Sequence, residues 1–197
     1  MSIIVPMSSQ AFVPGVFLDR DGVLIENKEN YVRTWEDVEV FEQALVACRE
    51  ISEAGFPIIV VTNQSSIGRG ILTYETVLAI HNRVIDVFRA AGANVLSSYI
   101  CHHSPTEDCD CRKPKAGMLF QGAKEHNIDL ERSFMVGDAL TDMQAARTAG
   151  AQGILVRTGR GSTQEALMDG ETDNGWIVCN DLLEASRYIV GRKDLLV

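Results

Sequence analysis

The chain has 197 residues, of which 46% are hydrophobic and 23% are charged, values typical of a globular protein large enough to bury a core. The net charge of −9 argues against a nucleic-acid-binding surface. The longest apolar stretch, around 56–61, is far shorter than the roughly 18 residues of a membrane span, and the N-terminus lacks the basic region and apolar core of a signal peptide. We therefore expect one cytoplasmic, monomeric domain over residues 1–197, with a loose extension at 1–12 and no nucleic-acid or membrane partner.

In chain order, short apolar runs alternate with segments of helical periodicity, as in a parallel sheet covered by helices. Strands are predicted at 16–18, 57–62, 97–101, 133–138, 153–158 and, at an edge, 176–179. Helices are predicted at 42–54, from Thr73 onwards, and at about 115–126, 139–149 and 181–190. The helix that begins at Thr73 has a predicted buried stripe, made of Val77, Ile80, Val84, Val87 and Ala91. The polar, glycine-rich segment 159–175 is predicted to be a surface connection.

Side chains that could act in catalysis or bind a metal lie at the ends of these predicted strands. Asp19 and Asp21 follow the first strand, Thr62 ends the second, and Asp138 ends the fourth. Ligands of open α/β sheets bind outside the carboxyl ends of the strands. Asp19 and Asp21 alone would fit a simple turn beside Gly22, but their combination with the other groups favours a functional site.

This set of groups matches phosphoryl transfer through an aspartyl-phosphate. Asp19 is the expected nucleophile, and Asp21 is expected to protonate the leaving oxygen and then activate water. Magnesium, which prefers oxygen ligands, would be bound by Asp19, the main chain of Asp21 and Asp138. Lys113 would offset the negative charge that develops in the reaction.

Three further residues remain to be assigned around this expected centre. Thr62 and Asn63 are placed to donate hydrogen bonds to phosphate. Asp142 lies one helical turn after Asp138, and the sequence leaves open whether it supports the metal site or is a surface charge.

The order DxDG, VTNQ, RKP and GDxxxD resembles the haloacid dehalogenase superfamily of phosphatases, over about Val16 to Arg160. The resemblance implies a Rossmann-like, doubly wound, mainly parallel sheet of the α/β class, with magnesium as the cofactor. The second aspartate, Asp21, is typical of the phosphatase branch. Residues 22–56 and 65–111 leave no room for a large cap domain, so we expect a nearly capless core with an exposed mouth.

The segment CHHSPTEDCDC at 101–111 holds three cysteines and two histidines. Cys101, Cys109, Cys111 and one histidine would complete a closed, structural zinc tetrahedron, whereas the alternative is a set of free thiols. The loop has almost no apolar residues, so metal binding would account for its order.

This loop also resembles two related branches of the superfamily, one acting on heptose bisphosphates and the other on histidinol phosphate. By that resemblance His103, not His102, is the zinc ligand. The stretches 63–73 and 155–161 favour the heptose branch, so a heptose 1,7-bisphosphate losing its 7-phosphate is the expected substrate, with histidinol phosphate or another small sugar phosphate as the alternative. Arg69 is then available to a second anionic group, and Arg112 adds a further cation for the substrate.

Two alternative functions, each from another class of protein, are less consistent with the sequence. Receiver-type signalling modules also combine aspartates, a hydroxyl and a lysine on a doubly wound sheet, but the chain length, the spacing of Asp19 and Asp21 and the cysteine-rich loop disfavour that reading. A catalytically idle, zinc-stabilised scaffold is disfavoured because none of the catalytic groups is missing.

Overall fold

The computed structural model describes residues 11–168 and 175–197. Within them, one parallel sheet has the strand order β3-β2-β1-β4-β5-β6. Its strands are Val16–Leu18 (β1), Ile58–Asn63 (β2), Val95–Cys101 (β3), Phe134–Gly137 (β4), Gln152–Val156 (β5) and Ile177–Cys179 (β6). This is the doubly wound α/β fold expected from the sequence, and β6 lies at the edge as predicted.

Helices cover both faces of the sheet. They are Glu42–Glu53 (α1), Ser65–Gly68 (α2), Tyr74–Ala90 (α3), Gly117–His126 (α4), Leu140–Ala149 (α5), Gly161–Glu165 (α6) and Leu182–Val190 (α7), with short 3-10 turns at Trp35–Asp37, Leu130–Arg132 and Lys193–Leu196. Local chemistry explains several of the boundaries. The Thr73 hydroxyl accepts from the Thr76 N–H and begins α3, and Gly150 ends α5 in a left-handed conformation. Among the described residues, no helix has the length and apolar character needed to cross a membrane.

The strands alternate their side chains between two separate hydrophobic layers. In β1, Val16 and Leu18 join the layer formed with α1, α3 and α7, whereas Phe17 joins the layer beneath α4 and α5. In β2, Val60 and Val61 divide in the same way. Because successive strand residues point to opposite faces, a sheet buried on both sides reads as a continuous apolar run.

Some local predictions differ from the structure. In α3, Ile85 and Phe88 are buried, whereas Val87 and Ala91 are only half-buried, so the buried face is rotated relative to the predicted stripe. The predicted connection at 159–175 contains α6, and 169–174 lie outside the described residues. Most of the predicted N-terminal extension, residues 1–10, also lies outside them.

The strand order places the chemistry at the switch point of the sheet. β1 lies between β2 and β4, and the Asp19 N–H donates to the Val136 carbonyl across the β1–β4 boundary. In the described residues, no second domain interrupts the sheet. Residues 21–40 form only a small excursion closed by a bridge between Ile25 and Val40, which agrees with the capless core expected.

The loop between β5 and α6 folds back against the carboxyl edge of the sheet. Its Thr158 hydroxyl donates to the Gly22 carbonyl at 2.6 Å, and a Cβ at Gly161 would overlap the Val156 carbonyl oxygen. The chain can make this turn only with glycine at position 161, because no side-chain atom fits there.

We therefore expect Gly161→Ala to lose several kcal/mol of unfolding free energy, since overpacking against main-chain atoms costs at least about 1–3 kcal/mol. The adjacent Ser162→Ala serves as the matched control. It removes an exposed hydroxyl that donates to the Arg157 carbonyl at 3.1 Å, and it should melt within a few degrees of the parent. Thermal unfolding followed by circular dichroism measures both variants. Equal melting temperatures for the two variants would contradict the assigned loop geometry.

Candidate active site

A polar cavity of about 630 Å³ opens at the carboxyl edge of the sheet. Most of the residues expected at the phosphoryl-transfer centre line it, together with several that were not selected, but Asp138 is not among them. The lining residues are Asp19, Arg20, Asp21, Asn27, Lys28, Glu29, Tyr31, Val32, Thr62, Asn63, Gln64, Ser65, Arg112, Lys113, Thr141, Asp142 and Arg160.

A buried ammonium group organises the floor of this cavity. Lys113 Nζ lies 3.0 Å from Asp19 Oδ1 and 2.6 Å from Asp142 Oδ1, and it donates to the Val61 carbonyl at 2.8 Å. Burial lowers the pKa of Lys113, but Asp142 and Asp19 together outweigh burial and raise it. Lys113 is therefore a permanent buried cation between two acidic groups.

Asp19 is a desolvated carboxyl group at the end of β1. Burial raises its pKa to about 7, and the attraction of Lys113 opposes that shift. One of its oxygens also accepts from the Arg20 N–H at 2.7 Å. A bound divalent cation would favour the ionised form, because a nearby opposite charge lowers a carboxyl pKa.

The second aspartate of the pair is held by an arginine and a glutamine side chain. Asp21 Oδ2 accepts hydrogen bonds from Arg20 Nη2 at 3.0 Å and from Gln64 Nε2 at 2.7 Å. Gln64 Nε2 also lies 3.0 Å from Thr62 Oγ1. The Asp21 side chain is thus held in place, partly exposed, beside the buried Thr62 hydroxyl.

The fourth strand contributes a fully buried carboxylate. Asp138 accepts from the Arg160 main-chain N–H at 2.9 Å, from Arg160 Nε at 3.2 Å and from Arg160 Nη2 at 2.9 Å. Burial raises the pKa of Asp138, and the Arg160 guanidinium opposes the shift.

These carboxylates form a set suited to a hard cation. One oxygen each from Asp19, Asp138 and Asp142 lies within 4.8 Å of the others, and carboxylate oxygens are the ligands that magnesium prefers. The residues therefore fit the magnesium implied by the sequence. Asp142 is fully buried and also accepts from the Ala139 N–H at 3.1 Å, which excludes a surface charge, one of the two alternatives that the sequence left open.

The expected substrate-contacting residues divide into two groups. Asn63 and Arg112 line the cavity, and the Asn63 side-chain amide exchanges two hydrogen bonds with the Lys113 main chain, at 3.0 and 3.1 Å. Arg69 is exposed just after α2 and is not among the cavity-lining residues. The structure thus brings Arg112, but not Arg69, to the wall of the cavity.

The cysteine–histidine loop forms a compact cluster beside the cavity. Sulfur–sulfur distances are 3.8 Å for Cys101–Cys109 and 3.6 Å for Cys109–Cys111, and His103 Nδ1 lies 3.3 Å from Cys111 Sγ. A tetrahedron with zinc–sulfur bonds of about 2.3 Å has edges of about 3.8 Å, so the cluster fits zinc. The ring of His102 instead stacks on His103, with centroids 4.2 Å apart.

Three residues that support the site were not predicted from the sequence. Arg20 and Gln64 hold Asp21, and Arg160 pairs with Asp138. Gln64 directly follows two selected residues, and Arg20 stands between two aspartates. Both could therefore have been predicted from their position next to selected residues. For Arg160, only the fold of the β5–α6 loop reveals the pairing.

Comparisons with known proteins agree with this geometry. The family model for haloacid dehalogenase-like hydrolases matches residues 110–185. The D-glycero-β-D-manno-heptose-1,7-bisphosphate 7-phosphatase of Yersinia pestis is 38% identical over 91% of this chain and 97% of its own length. The enzyme of the same name from Pseudomonas putida is 36% identical over 89% of this chain and 98% of its own length.

A solved structure gives the same result. The D,D-heptose 1,7-bisphosphate phosphatase from B. bronchiseptica, crystallised with magnesium and phosphate, superposes with a TM-score of 0.85 at 32% identity, covering 91% of this chain and 99% of that one. The site geometry, the sequence relatives and this structural neighbour lead to one conclusion: the chain belongs to the D-glycero-β-D-manno-heptose-1,7-bisphosphate 7-phosphatase family of haloacid dehalogenase-like hydrolases.

Proposed function

We propose that this protein is a magnesium-dependent phosphatase that removes the 7-phosphate of D-glycero-β-D-manno-heptose 1,7-bisphosphate through an aspartyl-phosphate intermediate. The observation that carries the proposal is the cluster of Asp19, Asp138 and Asp142, with Lys113 between Asp19 and Asp142, in a chain whose relatives bear that activity in their names.

Asp19 is the proposed nucleophile. Its carboxylate attacks phosphorus, the bond from phosphorus to the sugar oxygen breaks, and the phosphoryl group is transferred to the aspartate. Burial raises the pKa of Asp19 to about 7, so its ionised form depends on neighbouring positive charge. Lys113, 3.0 Å away, supplies part of that charge, and a magnesium ion held by Asp19, Asp138 and the Asp21 main chain would supply the rest while polarising the phosphoryl oxygens.

Asp21 is the proposed general acid and base. The protonated carboxyl donates to the departing sugar oxygen, and the resulting carboxylate then takes a proton from the water that attacks the aspartyl-phosphate. Hydrogen bonds from Arg20 and Gln64 hold its side chain in one orientation. Thr62 is within the same hydrogen-bonded group and is proposed to donate to a phosphoryl oxygen.

A bisphosphate leaves one phosphate outside the reaction centre. Arg112 lines the cavity and directly precedes Lys113, and an arginine guanidinium can hold a phosphate through paired hydrogen bonds. We assign the second phosphate to Arg112 first. Arg69, exposed and away from the cavity wall, would need a substrate that extends beyond the lining residues.

The proposed zinc site supports the reaction indirectly. Cys111 is followed at once by Arg112 and Lys113, and Arg112 Nη1 lies 3.5 Å from the His103 carbonyl oxygen. Zinc bound by Cys101, His103, Cys109 and Cys111 would therefore fix the main chain that carries both cations.

Asp19→Asn should abolish turnover of the heptose bisphosphate while leaving the fold intact, because an amide matches the carboxylate in shape but cannot attack phosphorus. Asp21→Asn should lower kcat by about 100- to 10,000-fold. The exposed Asp86→Asn is the control and should retain full activity. Steady-state release of phosphate, with circular dichroism on each variant, makes the comparison. Substantial turnover by the Asp19 variant would refute the mechanism.

Cys109→Ser should lose one zinc ion per chain and melt at a lower temperature, because the free energy of binding a structural zinc is also free energy of folding. His102→Gln is the matched control. It changes the neighbouring ring, which is not in the cluster, and should retain zinc. Metal analysis of protein purified with zinc present reports both variants. Loss of zinc from the His102 variant and retention by the Cys109 variant would reverse the assignment.

Arg112→Ala should raise KM for the heptose bisphosphate about tenfold or more, since charge-assisted contacts to phosphate contribute about 1.5–3 kcal/mol. Hydrolysis of a small generic phosphate ester should change much less, because that substrate has no second phosphate. Arg69→Ala, tested in parallel, decides between the two arginines. A higher KM for the heptose bisphosphate in the Arg69 variant alone would assign the second phosphate to Arg69. Histidinol phosphate serves as the monophosphate for comparison.

A further inference from the structure

The pairing between Arg160 and Asp138 conflicts with magnesium binding at the same carboxylate. Arg160 Nη2 lies 2.9 Å from Asp138 Oδ1, and Arg160 Nε lies 3.2 Å from Oδ2. Magnesium requires oxygen ligands at about 2.0–2.1 Å in near-octahedral geometry. The guanidinium donates to both carboxylate oxygens, so Arg160 and a magnesium ion would compete for the negative charge of Asp138.

The local backbone brings the arginine to this position. The Arg160 N–H donates to Asp138 Oδ2 at 2.9 Å, and Thr158 Oγ1 holds the loop to the Gly22 carbonyl. A Cβ at Gly159 would lie 2.5 Å from both Asp138 Oδ2 and Gly22 Cα. The loop thus lies directly against the carboxylate, and its main-chain contacts are independent of the guanidinium.

The two partners differ in their freedom to move. The Asp138 side chain is fully buried, whereas 51% of the Arg160 side chain is exposed. Arg160 lines the open cavity, whereas Asp138 is not among the lining residues. The guanidinium can rotate into the cavity and leave its backbone N–H on Asp138 Oδ2.

The negative charge of the buried aspartates explains why the Arg160 guanidinium lies against Asp138. Asp19, Asp138 and Asp142 are buried together, and Lys113 offsets only part of their negative charge. An uncompensated buried carboxylate is costly. Arg160 supplies further positive charge at Asp138, next to the position where a bound ion would also supply it.

We propose that Arg160 is an internal counter-ion of the metal site, and that magnesium binds by exchange with its guanidinium, which then moves into the substrate cavity. This inference rests on the proposed magnesium site. The exchange weakens magnesium binding relative to a site without Arg160. It also means that magnesium binding frees the Arg160 guanidinium in the cavity, where an anionic substrate enters.

The first test measures magnesium alone by isothermal titration calorimetry in the wild type, Arg160→Gln and Arg157→Gln. Arg157 is on the same loop but pairs with Glu165 and Asn180, so its variant controls for loss of a nearby charge. We expect Arg160→Gln to bind magnesium about three- to tenfold more tightly, as removal of a competing ion pair implies, and Arg157→Gln to match the wild type. Unchanged or weaker binding in the Arg160 variant would overturn the exchange.

The second test follows the arginine itself. In full-length protein with ¹⁵N-labelled arginine, the Arg160 Nε–H signal, assigned by its absence in Arg160→Gln, should shift as magnesium saturates the site. With a chelator present, Arg160→Gln should melt below the wild type, and saturating magnesium should narrow the gap. A fixed Arg160 signal with magnesium bound would overturn the exchange and leave the metal site standing. Absence of magnesium binding in the wild type would refute both.

Discussion

The structure depends on keeping one ammonium group and two carboxylates together out of water. Lys113 lies between Asp19 and Asp142 and donates to the carbonyl of Val61. Removing the ammonium group would leave the carboxylates buried without their partner, and such a loss typically costs about 3–5 kcal/mol. The floor of the site is therefore also a structural element, since it joins the ends of β1 and β2 to the first residues of α5 and to the segment before α4.

The supports around this group come from remote parts of the chain. Asn63, the last residue of β2, exchanges two hydrogen bonds with the main chain of Lys113, and the cysteine–histidine cluster lies immediately upstream. Arg20 and Gln64 fix the second aspartate from two adjacent strand ends. Lys113 and Asp21 are thus each held in part by a side chain from the end of β2, which limits the orientations they can adopt and reduces the reorganisation required during the reaction.

Much of this arrangement could be predicted from the sequence, because it depends on local patterns. Apolar runs located the strands, and parallel strands bring their carboxyl ends to one edge, where Asp19, Thr62 and Asp138 were expected. In the structure Asp19 and Thr62 line the cavity, and Asp138 has a carboxylate oxygen within 4.8 Å of one of Asp19. The rotated face of α3 was missed because Ile85 and Phe88 fit a helical stripe as well as Val87 and Ala91 do. Arg160 was missed because its pairing depends on a loop that turns back on itself through Gly161, and the burial of Asp142 depends on packing that sequence spacing alone leaves open.

The open mouth of the site has a consequence for how substrates are selected. In the described residues no cap domain encloses the cavity, so a ligand is recognised by the position of a few cations on a chain whose net charge is −9. At long range the protein repels a phosphorylated sugar, and salt screens that repulsion beyond about 8–10 Å. Contacts with partly buried cations are screened much less. Moderate ionic strength should therefore speed the encounter with substrate, the reverse of the behaviour of enzymes that attract their substrates by an overall opposite charge.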